Sequence, residues 1–569
     1  MNQSEQDWRG LPMSNNQSYQ LPVVVIGAGP VGLALAGDLG WRGVPCVLVD
    51  RGDGAVFQPR MDMVGIRTME FCRRWGIVDW VEGAGYNRDY PQDYAWVSQL
   101  HGGYEFGREV FPSVKDEQKP PQSPQKRERC PQNFFDPVLT RFAQRSGNVE
   151  IRYRTEYLGH TENERGVIVR LRDLETGHER TLECQYLVGC DGGASKVREA
   201  LGITMTGTPT LTYTTNAIIK CDGLEKLHDK EPGYRYIFIG PDGTWSTVVA
   251  INGRDQWRFS IVGDGVMRTL SKEDVAREFR RAVGRNDFDF EILSVMPWVR
   301  RQLVADNYGT SRVLIAGDAA HLTSPTGGFG MNMGIQDSVD LGWKLQALVE
   351  GWGGPELIRS YEIERRPVAI RNVNEATNNL KLMLTPREKL NNLVFEPGPE
   401  GDRARKEFGD AYTAMMKREW YTIGIHLGFR YEGSPIVVPD GTPEPEDTVS
   451  TYEQTARPGH RAPHVWLTPT QSTLDYFGRE FVLLRFDASA TVDGFTEAAR
   501  SRGMPFRTVD IDNHEARAIY GSKLVLVRPD GHVAWRGDAE PNDVSNVIDV
   551  ARGARAFNHV SQSDNLQEA

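Results

Sequence analysis

The sequence is poor in cysteine. Its 569 residues include six, no two of them form a CxxC pair, and none follows Cys221. Secreted disulfide scaffolds are rich in cysteine, and CxxC pairs are typical of zinc sites and thiol redox sites. The pattern therefore disfavours those classes and predicts a reduced, cytoplasmic protein.

Long apolar runs are also scarce. The segment Leu21–Gly40 approaches the length of a membrane-spanning helix, but it contains Asp38, five glycines and two prolines. It also lacks a basic leader and a small-residue cleavage site. We therefore expect neither a membrane anchor nor a signal peptide.

Positive charge is in deficit. The chain has 66 Lys and Arg against 77 Asp and Glu, a formal net charge of -11. A surplus of negative charge repels polyphosphate and anionic lipid. We expect no nucleic-acid or membrane partner, and chemistry on a small molecule instead.

The hydrophobic pattern predicts a nucleotide-binding opening and a later sheet. Val23–Ile26 and Cys46–Val49 have the pattern of buried strands on either side of an apolar helix, which is a βαβ unit. From Tyr213 to Val262 apolar residues recur with period two, which predicts an antiparallel sheet. Val313–Ala316 then returns to the pattern of a buried strand, so the first domain is re-entered after an insertion.

Further elements lie between and after these. Helices are predicted at Arg60–Gly76 and Asn332–Glu350. The stretch Tyr86–Arg129, dense in Pro, Gln, Gly and Tyr, has the composition of a long loop, and such loops often form lids.

The predicted division has five parts, in agreement with the three or four domains expected at roughly 150 residues each. They are a mobile polar tail (1–20), a discontinuous nucleotide-binding domain (21–200 and 300–380), an inserted substrate-binding sheet domain (201–299), a helical or linker region (381–454) and a separate C-terminal unit (455–569).

The first motif is Gly27-Ala28-Gly29-Pro30-Val31-Gly32, a GxGxxG between the first predicted strand and helix. Its first glycine allows a tight turn, its second lets a pyrophosphate approach the backbone, and its third allows close helix packing. Asp50 lies 21 residues beyond Gly29, where an acidic side chain accepts hydrogen bonds from a ribose. The motif predicts a bound dinucleotide without separating NAD from FAD.

The second motif follows the strand at Val313–Ala316. It runs from Gly317-Asp318 through Pro325 to Gly327-Gly328-Phe329-Gly330-Met331-Asn332. A carboxylate at a strand end accepts hydrogen bonds from a polyol, and clustered glycines let a flat ring lie against the backbone. The positive end of the following helix stabilises an anion there. His321, inside this segment, is interpreted as a buried structural imidazole.

The third motif is Cys190-Asp191-Gly192-Gly193, between a predicted strand and a helix. On its own it is equally well a turn whose helix is capped by Ser195. Both interpretations stay open at this point.

Together and in this order, the three motifs resemble the single-component FAD-dependent aromatic hydroxylases, in particular the phenol hydroxylase and polyketide hydroxylase branches. The resemblance covers Val23 to Arg366, and residues 455–555 resemble the thioredoxin-like domain of those branches. Having no cysteine, this domain cannot exchange thiols and disulfides. The implied fold is α/β: a Rossmann-like FAD-binding domain, an inserted antiparallel-sheet substrate domain and a C-terminal thioredoxin-like domain.

The resemblance also implies a reaction. FAD is the cofactor, NADPH or NADH reduces it, O2 adds at its C4a position, and the resulting hydroperoxide hydroxylates a phenolic ring ortho to the phenol oxygen. No second GxGxxG follows, so the nicotinamide is expected to dock transiently. A small aromatic substrate and a homodimer are likewise implied.

Site residues follow from the same resemblance. Asp62 is the expected base for the phenol, because phenol hydroxylases have an aspartate there, and Pro325 is the second residue assigned to catalysis. The expected FAD contacts are Gly27, Gly29, Pro30, Val31, Gly32, Asp50, Arg51, Arg60, Gln132, Asp191, Asp318, Pro325, Gly328, Gly330, Met331 and Asn332.

An aromatic wall is expected around the substrate, although the buried face of a sheet needs such residues in any case. Its candidates are Tyr234, Tyr236, Trp245 and Trp257. Bidentate binding of a substrate carboxylate would need an arginine, and the sequence singles out none of Arg127, Arg129 and Arg235.

No metal is expected. His460 and His464 lie four residues apart, but Pro463 interrupts any helix and no cysteine or acidic residue accompanies them at ligand spacing.

Two alternatives to a phenol hydroxylase remain. One is a flavin-dependent epoxidase or hydroxylase that tailors a polycyclic substrate, and the other is a non-catalytic flavin-binding module. A halogenase is disfavoured, because the chain has no WxWxIP segment.

Overall fold

The structure is a computed structural model that describes residues 21–263, 265–386 and 389–557. The tail predicted at residues 1–20 lies outside these residues. The helices are α1 (Pro30–Arg42), α2 (Ile66–Trp75), α3 (Val78–Glu82), α4 (Gln132–Arg145), α5 (Lys196–Ala200), α6 (Lys272–Val283), α7 (Phe329–Val349), α8 (Glu356–Leu384), α9 (Pro399–Trp420), α10 (Ile423–Leu427), α11 (Asp493–Ser501), α12 (His514–Tyr520) and α13 (Val544–Ala551). The strands are β1 (Leu21–Ile26), β2 (Cys46–Val49), β3 (Met63–Val64), β4 (Tyr94–Val97), β5 (Glu105–Glu109), β6 (Glu128–Arg129), β7 (Val149–Arg152), β8 (Thr155–Asn163), β9 (Gly166–Asp173), β10 (Glu179–Gly189), β11 (Met205–Lys220), β12 (Arg235–Gly240), β13 (Gly243–Ala250), β14 (Gln256–Val262), β15 (Glu291–Ala305), β16 (Val313–Ile315), β17 (His321–Leu322), β18 (Phe481–Arg485), β19 (Phe506–Asp510), β20 (Leu524–Val527) and β21 (Val533–Gly537).

The first sheet forms the nucleotide-binding domain. Its order is β7-β2-β1-β10-β9-β8, and β16 also pairs with β10. The neighbours β7, β2, β1, β10 and β16 are parallel. The apolar side chains of β1, β2 and β16 are buried on both faces, as parallel strands covered by helices require. The segment β16, which follows the inserted domain in the chain, therefore completes the sheet that β1 begins.

The second sheet is the inserted domain, in the order β17-β15-β11-β14-β13-β12-β4-β5. Two of its strands, β4 and β5, lie within the stretch Tyr86–Arg129, and the prediction of one long loop there is corrected. Parallel pairing of β4 with β12 gives strand structure to residues whose local composition is that of a loop, because the partner lies far away in sequence.

The C-terminal domain has a third sheet, in the order β19-β18-β20-β21, with β18 and β19 parallel and the other neighbours antiparallel. Helices α11, α12 and α13 complete it. The predicted α/β fold with a Rossmann-like domain, an inserted antiparallel sheet and a thioredoxin-like domain is thus confirmed. None of the described helices is both long and apolar enough to cross a membrane.

Buried ion pairs fasten the C-terminal domain to the first domain. Arg461 donates to both carboxylate oxygens of Glu70 on α2 (2.5 and 3.0 Å), and Glu70 also accepts from Arg67 at 2.7 Å. Arg528 reaches Glu364 on α8 at 2.5 Å. Buried charges that lose their partner are costly, so these pairs fix how the two domains meet.

Arg461→Met tests this attachment. The substitution leaves the Glu70 carboxylate buried with less positive charge around it, and we expect the free energy of unfolding to fall by about 3 kcal/mol. Urea unfolding followed by tryptophan fluorescence measures the loss. Arg485→Met, which removes the exposed pair with Asp510, is the matched control and should cost less than about 1 kcal/mol. Equal losses in both variants would contradict the proposed attachment.

Candidate active site

The GxGxxG motif forms a tight turn between β1 and α1. A Cβ on Gly27, whose φ is +105°, would lie 2.4 Å from the Cys190 carbonyl oxygen, and a Cβ on Gly32 would lie 1.9 Å from the Gly27 carbonyl oxygen. A Cβ on Gly29 would instead meet nothing within 4 Å. Two of the glycines are therefore required by the protein's own packing, whereas the third faces open space in which a pyrophosphate fits.

The acidic end of β2 closes this turn. The two carboxylate oxygens of Asp50 accept hydrogen bonds from the backbone N–H groups of Ala28 (2.7 Å) and Gly52 (2.6 Å). The neighbouring Arg51 is exposed and lies outside the group of residues that line the adjoining cavity. Pro30 begins α1, and Val31 packs against Gly317 and Gly334. Neither residue lines that cavity.

A cavity of about 530 Å³ extends from this turn to the inserted sheet. We call it the central cavity. Its lining from the first domain includes Ala28, Gly29, Asp50, Arg60, Asp62, Gln132, Asp136, Pro325, Thr326, Gly327 and Gly328. Its lining from the inserted sheet and the segment after α8 includes Tyr94, Asn216, Tyr234, Arg235, Arg258, Ser260, Met296, Trp298, Arg300, Glu419, Trp420 and Thr422.

The second glycine-rich motif forms one wall of the central cavity. Gly327 and Gly328 have φ of +85° and +68°, a left-handed backbone that glycine adopts without strain. The Gly328 N–H donates to the Pro325 carbonyl (3.1 Å), and α7 begins at the next residue. The first N–H groups of a helix have no partner within it, so the backbone at Gly330 and Met331 offers donors to an anion.

The side-chain amide of Asn332 is hydrogen-bonded within the protein. Its amide oxygen accepts from the Gly65 N–H (2.8 Å) and the Thr68 hydroxyl (2.7 Å), and its amide nitrogen donates to the carbonyls of Met63 (3.2 Å) and Gly328 (2.7 Å). These bonds use the whole hydrogen-bonding capacity of the side chain. Asn332 therefore joins the start of α7 to the segment that follows Asp62.

The two aspartates of the other motifs lie beside the central cavity rather than in its lining. Asp318 follows β16, where burial raises the pKa of its carboxyl and the charges of His321 and Arg60 oppose that effect. Asp191 accepts hydrogen bonds from the Ser195 hydroxyl (2.5 Å) and the Lys196 N–H (2.7 Å). Ser195 also caps α5, so the turn interpretation accounts for the polar contacts of Asp191.

Arg60, Gln132 and Asp136 form the part of the cavity that suits a flavin. Gln132 accepts from the Arg60 backbone N–H and donates to Asp136, both at 3.1 Å. Burial raises the pKa of Asp136 to about 7, and its second oxygen is buried without a hydrogen-bond partner within the described residues. An orphaned buried acceptor is costly, and a polyol hydroxyl would satisfy it. Together with the open space at Gly29, this fits FAD.

A charged cluster lies at the substrate end. Asp62 accepts hydrogen bonds from the Tyr234 hydroxyl (2.6 Å), Arg258 (3.1 Å) and Arg129 (3.3 Å). Burial opposes ionisation of Asp62, but Arg258, Arg129 and the Tyr234 hydroxyl outweigh it and hold the pKa of the carboxyl below its ordinary value. Burial also raises the pKa of Tyr234 well above its ordinary value. Asp62 is thus ionised and Tyr234 protonated at neutral pH.

Of the four expected aromatic wall residues, the structure brings Tyr234 to the central cavity and leaves the other three elsewhere, which corrects the expectation for them. On β14 the side chains of Arg258 and Ser260 line the cavity, so Trp257 faces the opposite side, where its indole N–H donates to the Cys221 carbonyl (3.1 Å). Tyr236 donates to the Glu231 carbonyl (3.1 Å). Trp245 lies at an irregularity in the β12–β13 pairing and packs on Phe238.

Several residues that line the central cavity were not predicted from the sequence. Met296, Trp298 and Arg300 are every second residue of β15 and therefore lie on one face of the strand. This spacing of two is the sequence signal that could have identified them. Glu419 and Trp420 stand at the end of α9, in a region predicted as helical or linker. No local signal identifies them, because the folding of α9 against the inserted sheet brings them to the cavity.

The histidines have protein partners. His321 is buried, and its Nε2 lies 2.8 Å from Asp337. His460 contacts Glu444 at 3.2 Å, and His464 contacts the Ser472 hydroxyl at 2.7 Å. Within the part of the chain that the structure describes, no group of three or more His, Cys, Asp and Glu side chains could hold a metal ion.

Comparison with known proteins gives this arrangement a family. The FAD binding domain model matches residues 20–376, and the model of the aromatic-ring hydroxylase C-terminal domain matches residues 455–554. The chain therefore belongs to the FAD-dependent aromatic-ring monooxygenases. As an enzyme of this class it uses FAD, NAD(P)H and O2.

Individual relatives agree. The FAD-dependent monooxygenase apdD of Emericella nidulans is 30% identical over 93% of this chain and 90% of its own. A putative polyketide hydroxylase of Streptomyces halstedii is 31% identical over 91% of this chain and 93% of its own. Among solved structures, RebC soaked with chromopyrrolic acid and with 7-carboxy-K252c bound is 37% identical, with a TM-score of 0.87, over 94% of this chain and 100% of its own.

Two glycine variants separate the roles within the first motif. Gly29→Ala places a methyl group in the open space of the cavity, at an ordinary φ of −76°, so we expect FAD affinity to fall about tenfold or more while the stability of the apoprotein is unchanged. Gly32→Ala clashes with the Gly27 carbonyl and should also lower the unfolding midpoint of the apoprotein. Flavin fluorescence titration and thermal unfolding measure the two effects. Full FAD affinity in Gly29→Ala would contradict the assignment.

Proposed function

We propose that this enzyme hydroxylates the ring of a phenolic aromatic compound at the carbon next to the phenol oxygen, with NADPH or NADH as reductant. The observation that carries the proposal is the Asp62–Tyr234 hydrogen bond of 2.6 Å at the substrate end of a cavity that also suits FAD. A phenol oxygen placed there would meet the ionised carboxylate of Asp62 as an acceptor, and the Tyr234 hydroxyl would become its donor once Asp62 takes up the phenol proton.

The charges of the cluster define what Asp62 can do. A general base works best when its pKa lies near the operating pH, whereas Arg258 and Arg129 hold the pKa of Asp62 low. Asp62 is thus a weak base on its own. The two guanidinium groups against one carboxylate leave an excess positive charge, which favours the ionised form of a nearby phenol.

The protein's part in the reaction follows from this balance. Asp62 accepts the hydrogen bond of the phenol and then its proton. The Tyr234 hydroxyl, which the protonated carboxyl releases, then donates to the phenolate oxygen, and Arg129 and Arg258 stabilise the phenolate charge. A cation–π contact with the Tyr234 ring, whose centroid lies 3.7 Å from the guanidinium carbon, positions Arg129. Bound FAD would supply the redox chemistry that activates O2, and the buried walls would keep water from the reacting ring.

The names of two relatives support a substrate larger than phenol. RebC is seen with 7-carboxy-K252c bound, and the Streptomyces halstedii relative is named a putative polyketide hydroxylase. These names support a tailoring hydroxylase of a polycyclic substrate as one form of the proposed function, and the phenol 2-monooxygenase of Pseudomonas, 28% identical, supports a single-ring phenol as the other.

Asp62→Asn and Tyr234→Phe test the cluster. We expect each to lower kcat for hydroxylation by about 100-fold at neutral pH, because the phenol loses an acceptor or donor needed for ionisation. The deficit should narrow as pH rises and the phenol ionises in solution. Product formation and NAD(P)H oxidation are measured together across a pH series.

A more acidic phenol is the control. With 4-nitrophenol, already ionised at mildly alkaline pH, the same variants should lose little activity, whereas a deficit independent of pH and of phenol acidity would contradict the assigned role. If the wild-type protein binds FAD but no phenol stimulates NAD(P)H oxidation, the proposed function fails.

A further inference from the structure

Arg300 is a buried arginine that lines the central cavity without a partner. Its side chain belongs to β15, the residue is 6% exposed, and its Nε and Nη1 atoms have no hydrogen-bond partner within the described residues. Leaving such a group unsatisfied costs free energy. A buried, unpaired guanidinium that faces a cavity is therefore suited to an anionic ligand.

Four of the other five arginines of the cavity are paired with carboxylates, and the fifth, Arg60, lies over the Trp298 ring. Arg129 and Arg258 both bind Asp62, Arg235 binds Glu419 at 2.9 Å, and Arg127 binds Glu117 at 2.9 Å. Glu419, the carboxylate whose charge acts on Arg300, is bound by Arg235 through one oxygen, and its other oxygen has no hydrogen-bond partner within the described residues. Arg300 thus differs from the three arginines that the sequence offered for an acidic substrate.

The charges around Arg300 are predominantly positive. Burial, followed by the charges of Arg235 and Arg258, lowers the pKa of Arg300 to about 10, and Glu419 opposes this effect. The guanidinium remains charged at neutral pH. An anion placed beside it would offset the free-energy cost of burying the charge and the repulsion from Arg235 and Arg258.

The neighbouring residue on β15 indicates which kind of molecule would bear the anionic group. Trp298 lies two residues before Arg300 on the same face of the strand and also lines the cavity. Two residues along a strand span roughly 7 Å, about the width of one aromatic ring. Arg60, on the flavin side, lies over the Trp298 ring at 5.5 Å, so the indole stands between the flavin side of the cavity and Arg300.

We propose that Arg300 binds a carboxylate of the substrate, and that the substrate is an aromatic acid whose ring packs on Trp298. The planar guanidinium matches a carboxylate with two parallel hydrogen bonds. This inference rests on the proposed function, because it concerns the same cavity and the same ring.

The test uses the FAD-loaded full-length protein with 6-hydroxy-2-naphthoate and its methyl ester, which differ by one negative charge and both keep a C–H next to the phenol oxygen. Binding is measured from flavin absorbance and tryptophan fluorescence, and turnover from NAD(P)H oxidation. We expect the wild-type protein to bind the acid about 10- to 100-fold more tightly than the ester. Arg300→Met should abolish that preference by weakening the acid alone, and Arg300→Lys should restore part of it, because it keeps the charge without the planar fork.

Arg301→Met is the matched control, since Arg301 is the next residue and is exposed. It should leave both affinities within about twofold. Equal wild-type affinities, a parallel loss of both probes in Arg300→Met, or a rise in the KM for NADPH with unchanged probe binding would each overturn the assignment of Arg300. Ester-stimulated NAD(P)H oxidation would then still support the hydroxylase. If the wild-type protein binds neither probe, the assignment of Arg300 fails, and the hydroxylase proposal is decided by whether any other phenol stimulates NAD(P)H oxidation.

Discussion

The side-chain amide of Asn332 is the constraint on which the active site depends. It is 2% exposed and bonds to the backbone at Met63, Gly65 and Gly328 and to the Thr68 hydroxyl. One side of these bonds is the glycine-rich wall of the cavity, and the other is the segment that carries Asp62. Because a fully satisfied buried amide accepts few other arrangements, it fixes the distance between the flavin side and the phenol-binding cluster.

Charged side chains lie in two parts of the cavity on either side of that junction. Asp50 and Asp136 line the part of the cavity next to the GxGxxG turn, where we propose that the hydroxyl groups of FAD bind, and Asp62 is hydrogen-bonded to Arg129 and Arg258 beside the inserted sheet. Those arginines make Asp62 a weak base and the site a good phenolate binder. Burial also makes the unpaired guanidinium of Arg300 costly in free energy. Electrostatic stabilisation of a developing anion thus accounts for more of the site than proton abstraction does.

Local motifs could be predicted from the sequence and distant contacts could not. Gly27, Gly29 and Asp50 were found because strand, turn and acid follow one another within a short segment. Trp257 was misplaced because alternation reveals two faces of a strand without telling which faces the cavity. Trp420 and Glu419 had no signal, since α9 reaches the cavity by packing against the inserted sheet. Asp191 is a third case. This motif residue accepts a hydrogen bond from the first turn of α5, the helix that Ser195 caps.

The most direct test of the central claim is the source of the oxygen atom in the product. The FAD-loaded enzyme is supplied with NADPH, a naphthol and heavy-isotope O2, and the product is analysed by mass spectrometry. Our account predicts that one labelled oxygen atom enters the aromatic ring for each NADPH consumed. Oxidation of NADPH that yields only labelled peroxide, with no label in the aromatic compound, would contradict it.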